Sequence, residues 1–436
     1  MLNPLFEIPT LEKVPAKAAK EWQNKALKEQ LAYLKENSTF YQKHFKNHKV
    51  NWSDIETIND LHKIPPIGKE ELQAFNMDFL CVPKTKIIDY VTTSGTTGEP
   101  VTIALTEEDL QRLAYNEAIS LAGANGKPED IYQLTTTIDR RFMAGLAYYL
   151  GIRNLKCGIV RVGSGIPQLQ LDTLERIQPN TLIAVPSFIN ALINYAQKNN
   201  IDLNQTSVKK IICIGESIRD VGLKPNALHK KIVEQWNVKL YSTYASTEMG
   251  TAYTECTAQQ GGHEHPQLII SELLDENNQV LTAEDAEGEL CITTLGVKGM
   301  PLLRFKTGDM VRFYHEKCSC GRTSKRVSAV LGRKNQMIKY KGTTLYPPAI
   351  FEVLNSIEEV QLYAVEVKKS ELDTDEIIIH LYSKTQDTKR LETKCSELLR
   401  AKLRVKPKVV LTTKEAVQAL HQQKNLRKPT VFVDNR

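Results

Sequence analysis

Three short apolar runs in the middle of the chain, each tied to a helix-forming stretch, restrict the fold more than any other feature. Residues 181–185 end at Pro186 and precede helix-like 188–197. Residues 210–214 end at Gly215-Glu216-Ser217 and precede helix-like 226–235, and residues 238–241 form the third run. Strands alternating with helices predict doubly wound α/β layers, where ligands gather at the carboxyl ends of strands. Before them, residues up to about 45 read as helical, with apolar residues at helix-like intervals across 16–35. After them, residues 267–313 change to short strands, clearest at 288–294 and 310–313. The last quarter changes again: helix-like 347–354 and 388–403, with strand-like 361–367, 376–382 and 408–411. The prediction is an α/β fold, with a large N-terminal domain of layered sheets and helices and a small α+β C-terminal domain.

Val91-Thr92-Thr93-Ser94-Gly95-Thr96-Thr97-Gly98-Glu99-Pro100 follows a strand-like stretch, and from Thr92 to Gly98 it holds only glycines and small hydroxyl residues. Such a turn can wrap a polyphosphate with backbone N–H and hydroxyl donors. A Walker-type loop would close on Gly-Lys-Ser/Thr; here Gly98 precedes Glu99, which points to a nucleotide binder of another kind. Taken alone, the run is also consistent with a surface turn.

Composition removes other classes. The 436 residues are 41% hydrophobic and 25% charged, ordinary for a globular protein, and no apolar run approaches the ~18 residues of a membrane span. The amino terminus lacks a secretory pattern. Eight cysteines are too sparse for a disulfide scaffold, so a cytoplasmic location is expected. The net charge of +6 lies entirely in residues 334–436, which hold 19 basic and 13 acidic residues; the rest is balanced at 38 of each. A basic small domain suits anionic ligands such as nucleotides or coenzyme A. No aromatic-interleaved basic stretch supports nucleic acid.

Further motifs follow the glycine-rich run in order: Tyr241 to Gly250, Arg304-Phe305-Lys306-Thr307-Gly308-Asp309, Leu331-Gly332-Arg333, and Lys424-Asn425-Leu426-Arg427. Together these resemble the adenylate-forming enzymes (acyl-CoA synthetases, luciferases and adenylation domains). More narrowly they resemble the phenylacetate–coenzyme A ligase branch, through Phe40-Tyr41 with Phe45, Pro186-Ser187-Phe188, Gly215-Glu216, Glu255-Cys256 with His263, and Cys318-Ser319-Cys320-Gly321-Arg322. The resemblance spans nearly the whole chain. It implies a carboxylate attacking the α-phosphate of ATP with Mg²⁺, then displacement of AMP by a thiol, usually that of coenzyme A. A carrier-protein thiol or an amine is the alternative acceptor, and a non-catalytic nucleotide-binding relative the alternative in class.

The resemblance also implies roles. Ser94, Gly95, Thr96, Thr97 and Gly98 would hold the β- and γ-phosphates. Gly215, Glu216 and Ser217 would edge the adenine, Tyr244 would offer it a face, and Ala245, Ser246, Thr247 and Arg333 would complete the nucleotide site. Asp309, in a Thr-Gly-Asp turn, would accept hydrogen bonds from both ribose hydroxyls. Glu248 would hold Mg²⁺, and Lys424 would reach the charge developing between carboxylate and α-phosphate. Phe142, Ala144, Gly145, Tyr148, Pro186, Phe188 and Thr243 would line the pocket for an aryl or arylacetic acid, while the adjacent Arg140 and Arg141 would suit a polar or second carboxylate group. Lys339, Tyr340, Lys341 and Gly342, read as a basic loop, would face coenzyme A.

A hinge at Lys334 and Asn335 would let residues 334–436 move as a lid over residues 1–333. Cys256, His263, Cys318 and Cys320 have a composition suited to structural Zn²⁺, with His265 as a rival for the imidazole place. The expected partners are a small carboxylic acid and coenzyme A, with no nucleic acid or membrane, and the expected assembly is a homodimer. The chain departs from the family pattern at Val101, Ala245, Gln423, Asn335 and Gln336. Those positions commonly hold Lys, Gly, Gly and two acidic residues in relatives.

Overall fold

The computed structural model describes residues 11–93, 100–340, 343–369, 375–422 and 430–436. They fall into two compact units, one drawn from the chain up to Val330 and one built on Leu331–Arg436. In the first unit, α1 (Ala16–Asn37) buries Gln23, Ala26, Leu27, Gln30, Leu31 and Leu34 along one helical face. The next helix, α2 (Thr39–Asn47), starts at once because Ser38 Oγ accepts the Tyr41 N–H at 3.2 Å. Its aromatics are anchors. Phe40 stacks on Phe79 at 3.9 Å, Phe45 on Trp52 at 3.7 Å, and Leu303 N–H donates to the Tyr41 hydroxyl at 2.7 Å.

After α3 (Lys69–Ala74), strands β1 (Ile87–Thr92) and β2 (Thr102–Thr106) pair antiparallel, with Thr92 opposite Thr102. The strand predicted before the glycine-rich run therefore has an unpredicted partner after it. Helix α4 (Glu107–Gly123) grows directly from β2, its first turn closed by a reciprocal pair: Asp109 N–H to Thr106 Oγ1 at 3.2 Å and Thr106 N–H to Asp109 Oδ2 at 3.0 Å.

The predicted alternation holds from there: β3 (Ile131–Leu134), α5 (Met143–Asn154), β4 (Gly158–Arg161), α6 (Pro167–Ile177), β5 (Thr181–Ala184), α7 (Pro186–Lys198), β6 (Lys210–Cys213), α8 (Ala227–Gln235) and β7 (Lys239–Ser246). These strands run parallel in the order β4-β3-β5-β6-β7. Every residue of β5 and β6 is buried, as two-sided burial by helices requires. An antiparallel half continues from β7 through β8 (Thr251–Glu255), β9 (Gly262–His263), β13 (Arg326–Val327), β12 (Phe305–Tyr314), β11 (Glu287–Thr294) and β10 (Ile269–Leu274).

Two strands outrun their predicted limits. β7 continues past residue 241 because Thr243, Tyr244, Ala245 and Ser246 pair with Thr254, Tyr253, Ala252 and Thr251. β12 absorbs the expected Thr-Gly-Asp turn as a bulge. The ladder passes from Cys291↔Lys306 to Glu289↔Met310, so Thr307, Gly308 and Asp309 together oppose Leu290. Gly308 takes φ +78°, which an L-residue would adopt only with strain.

The second unit contains β14 (Gly332–Arg333), β15 (Ile338–Tyr340), β16 (Thr343–Leu345), α9 (Pro347–Asn355), β17 (Leu362–Lys369), β18 (Asp375–Tyr382), α10 (Thr388–Leu403), β19 (Lys408–Leu411), α11 (Lys414–His421) and β20 (Phe432–Asn435). Its sheet has the order β19-β18-β17-β20, with β17 and β18 antiparallel. Ile338, Ile350, Val353, Leu354, Val365, Ile379 and Leu399 are among its core residues.

Candidate active site and metal centre

The carboxyl ends of β5, β6 and β7 carry the residues expected around the nucleotide. Gly215 follows β6 at φ +74°. The Glu216 side chain turns away to cap α7, accepting the Ser187 N–H and the Ser187 hydroxyl at 2.8 Å each. Ser217 donates its hydroxyl to Arg219 O at 2.8 Å. Tyr244, on β7, and Asp309, in the β12 bulge, are brought together although their strands are not neighbours in the sheet: the phenol donates to Asp309 Oδ2 at 2.7 Å. Burial, and then the Asp309 carboxylate, hold that phenol protonated well above its ordinary range. The Tyr244 ring also stacks on Tyr253, with centroids 5.8 Å apart.

Ala245 is exposed and Ser246 half-buried. Thr247 and Glu248 lie in the turn between β7 and β8, both half-buried. The Glu248 carboxylate has no hydrogen bond or ion pair among the described residues. Arg333 lies on β14, and Lys334 and Asn335 begin a short 3₁₀ turn, Lys334–Gln336. The carboxy-terminal Arg436 grips this segment, donating to Met337 O at 2.6 Å and Asn335 O at 3.3 Å. Ser94, Gly95, Thr96, Thr97, Gly98, Lys341, Gly342 and Lys424 lie outside the described residues.

Two expectations need correction. Residues 339 and 340 do not begin a loop: they belong to β15, which pairs antiparallel with β16. Tyr340 is buried in the core of the second unit and donates its hydroxyl to Lys406 O at 2.7 Å, so it does not present itself to a ligand. Tyr148 is likewise a core residue. It is 3% exposed and packed with Leu121, Tyr132, Ile152, Ile183 and Tyr241, because α5 lies close against α4.

The other acyl-pocket residues separate into two groups. Phe142, Ala144 and Phe188 are half-buried at the amino-terminal ends of α5 and α7, which follow the adjacent strands β3 and β5. Pro186 and Thr243 are buried, and the Thr243 hydroxyl is paired with that of Thr254 at 2.7 Å. Gly145 is required by packing: a Cβ there would lie 1.9 Å from Thr137 O. Arg140 and Arg141 are exposed with φ of 59° and 57°. Thr92 N–H donates to Arg141 O at 2.9 Å, tying that loop to the end of β1.

Cys256, His263, Cys318 and Cys320 converge, with ligand atoms all within 4.8 Å of one another. Cys256 follows β8, His263 lies on β9, and Cys318 and Cys320 sit on the loop that leads to β13, the partner of β9. The Cys256 and Cys318 sulfurs are 3.6 Å apart, and Cys320 Sγ is 3.5 Å from His263 Nε2. With metal–sulfur bonds of about 2.3 Å and metal–nitrogen bonds of about 2.0–2.1 Å, this donor set fits one tetrahedral Zn²⁺. The other imidazole nitrogen, Nδ1, is 3.2 Å from Ser324 Oγ, which orients the ring. Burial pushes the Cys256 thiol up to about 12 and the His263 imidazole down to about 3. Burial also opposes ionisation of Cys320, but hydrogen bonds led by those from Arg322 bring that thiol below its ordinary value.

His265 is not in this cluster. Its Nδ1 contacts Glu12 Oε1 at 2.5 Å and its Nε2 contacts Ser120 Oγ at 2.9 Å. Glu12 also accepts from Arg322 Nε, while Thr323 N–H donates to Glu12 O at 2.7 Å. A segment near the amino terminus is thus fastened over the Cys-x-Cys loop. Burial alone would raise the Glu12 carboxyl; the His265 and Arg322 charges bring it down to about 2. The sequence offered no signal for Glu12, because its partners lie hundreds of positions away.

The family model described as AMP-binding enzyme matches residues 19–299. The chain belongs to the AMP-binding enzyme family. As an AMP-binding enzyme it has curated relatives over most of its length. The phenylacetate-coenzyme A ligase of Thermus thermophilus is 28% identical over 84% of this chain and 82% of its own. That of Escherichia coli is 24% identical over 90% of this chain and 89% of its own. Among solved structures, 2-hydroxyisobutyryl-CoA ligase in complex with R3-HIB-AMP matches with a TM-score of 0.87 at 20% identity, covering 98% of this chain and 92% of that one. The last likeness speaks to the fold, which is the α/β class predicted. No helix among the described residues is long and apolar enough to cross a membrane.

Proposed function

We propose that this AMP-binding enzyme is an ATP-dependent carboxylic acid–coenzyme A ligase acting through an acyl-adenylate. The observation that carries the reading is the family match, with phenylacetate–coenzyme A ligases as relatives over more than four-fifths of the chain. In the first step a carboxylate oxygen bonds to the α-phosphorus of ATP and pyrophosphate leaves. In the second the coenzyme A thiol, losing its proton, bonds to the acyl carbon and AMP leaves, giving the thioester. Two anions must meet in the first step, so positioning and charge neutralisation dominate.

Residues 1–333 bind ATP and the acid, and residues 334–436 form the lid that supplies Lys424. Ser94 to Gly98 take the β- and γ-phosphates, the backbone of Gly215 to Ser217 edges the base, and Asp309 takes the ribose. Glu248, whose carboxylate is unpartnered among the described residues, would hold Mg²⁺, which neutralises triphosphate charge. Phe142, Ala144, Gly145 and Phe188 favour an aryl or arylacetic acid, in keeping with the names of the relatives. Lys339 and Lys341 face coenzyme A. Cys256, His263, Cys318 and Cys320 hold a structural Zn²⁺ that braces two loops and takes no part in the chemistry. A cytoplasmic homodimer completes the reading.

The test is ATP–pyrophosphate exchange over aryl, arylacetic and short aliphatic acids, followed by thioester detection with coenzyme A. Exchange with an arylacetic acid and coenzyme A-dependent AMP release are expected. Exchange without thioester would move the acceptor to a carrier protein or an amine. The absence of exchange with every acid would leave a nucleotide-binding relative without turnover.

A further inference from the structure

Helix α4 buries a polar stripe where an amphipathic helix ordinarily buries apolar side chains. Asp109, Arg112, Asn116 and Ser120 recur at helical spacing and are all buried. Asp109 accepts the Lys298 and Gly299 N–H groups at 2.8 Å each. Arg112 is 2% exposed and makes four hydrogen bonds. Its Nε donates to Leu295 O at 2.8 Å, Nη1 to Gly250 O at 2.6 Å, and Nη2 to Thr251 Oγ1 at 3.0 Å and Leu268 O at 2.6 Å. Among the described residues no carboxylate forms an ion pair with it. One turn on, Asn116 Oδ1 accepts the Ala252 N–H at 3.1 Å.

Two side chains on successive turns of α4 therefore grip Gly250, Thr251 and Ala252. Those three residues follow directly on Glu248 and Met249. Gly250 has φ +52°, and a Cβ there would sit 3.4 Å from Arg112 Nη1. A buried guanidinium without a paired carboxylate is costly. Bonds to Leu268 O and Leu295 O tie the helix to the ends of β10 and β11; the bond to Gly250 O holds the last residue of the β7–β8 turn, and the bond to Thr251 Oγ1 holds the first residue of β8.

We propose that Arg112, supported by Asn116, is a positioning residue that fixes the backbone of the β7–β8 turn so that the Glu248 carboxylate is held ready for the metal ion accompanying ATP. This rests on the reading of Glu248 given above. The guanidinium touches neither nucleotide nor metal; it acts through the Gly250 carbonyl and the Thr251 hydroxyl. Its loss would leave ATP recognition by the rest of the pocket intact and uncouple it from Mg²⁺.

The experiment compares ATP affinity by calorimetry in Mg²⁺ and in EDTA for the wild-type chain, Arg112→Gln and Arg112→Lys, with circular dichroism and thermal melting as checks of folding. The wild type should bind ATP more tightly with Mg²⁺. Arg112→Gln should cut that gain at least about tenfold, the scale of a misplaced ligand, with affinity in EDTA changed less than about twofold. Arg112→Lys, which keeps the charge and loses the fork, should recover part of the gain. Equal losses in both conditions would make Arg112 merely structural and overturn the proposal, as would failure of both variants to fold. A full Mg²⁺ gain in Arg112→Gln overturns it while leaving the ligase reading standing. A wild type that binds no ATP in either condition overturns the ligase reading itself.

Discussion

A carboxyl group enclosed without a cation is a weaker acid, and Glu117 on α4 is such a group. It is buried, one oxygen accepts from Asn116 Nδ2 at 3.0 Å, and the other has no partner among the described residues. Burial raises it from 4.5 to about 8. The folded chain thus keeps a proton that the unfolded chain releases. Its stabilising effect is complete below pH 4.5 and drains away as pH rises through 8. Glu117→Gln should remove this dependence and raise the melting temperature at pH 8 by a few degrees, with little change at pH 5; equal effects at both values would contradict the assignment. Under the ligase reading, Lys424→Ala should lower acid-dependent pyrophosphate exchange about 100-fold or more while ATP still binds. Exchange near the wild-type rate would remove Lys424 from its role. Such single positions differ in how readily a sequence betrays them. Cys-x-Cys and Thr-Gly-Asp are local patterns and were legible. Glu216 as a cap for α7, Glu12 beside Arg322 and Arg112 beneath Gly250 were not, because a charged residue in a helix or turn ordinarily reads as solvated and its partner lies far along the chain.

At the level of elements, the loops around Cys256 and Cys320 adjoin very short strands. Strands β9 and β13 have two residues each, too few to hold a register alone. A metal ion bound by their neighbours would supply the missing restraint, so Cys318→Ser should lose one zinc per chain by elemental analysis and melt several degrees lower. Protein purified without added metal that contains no zinc would sink the assignment. Helix α1 was legible because one-sided burial imprints a helical repeat, and β5 and β6 because two-sided burial leaves a short unbroken apolar run bounded by turn residues. β2, β20 and the outer part of β7 were not: their stability comes from cross-strand partners, and hydroxyl and aromatic residues there resemble a loop until the partner is known.

For the molecule as a whole, the α/β class and the shift to antiparallel strands were legible because composition and period both change where the architecture does. The basic surplus of the last quarter has a measurable consequence under the ligase reading. The KM for coenzyme A should rise about threefold or more between ~0.05 and ~0.3 M salt, while the KM for the uncharged-ring portion of the acid panel stays nearly constant. A salt-independent value would leave the surplus without a part in capturing the thiol. The β12 bulge carries a last consequence, for how such an enzyme tolerates change. Three residues facing one make a patch where point substitutions alter chemistry without shifting the phase of the surrounding ladder. Adding or deleting one residue there would turn Met310 to Tyr314 inside out. Lineages descending from this fold should therefore keep the length of this segment fixed, and keep a glycine at Gly308, whose φ of +78° other residues adopt only with strain.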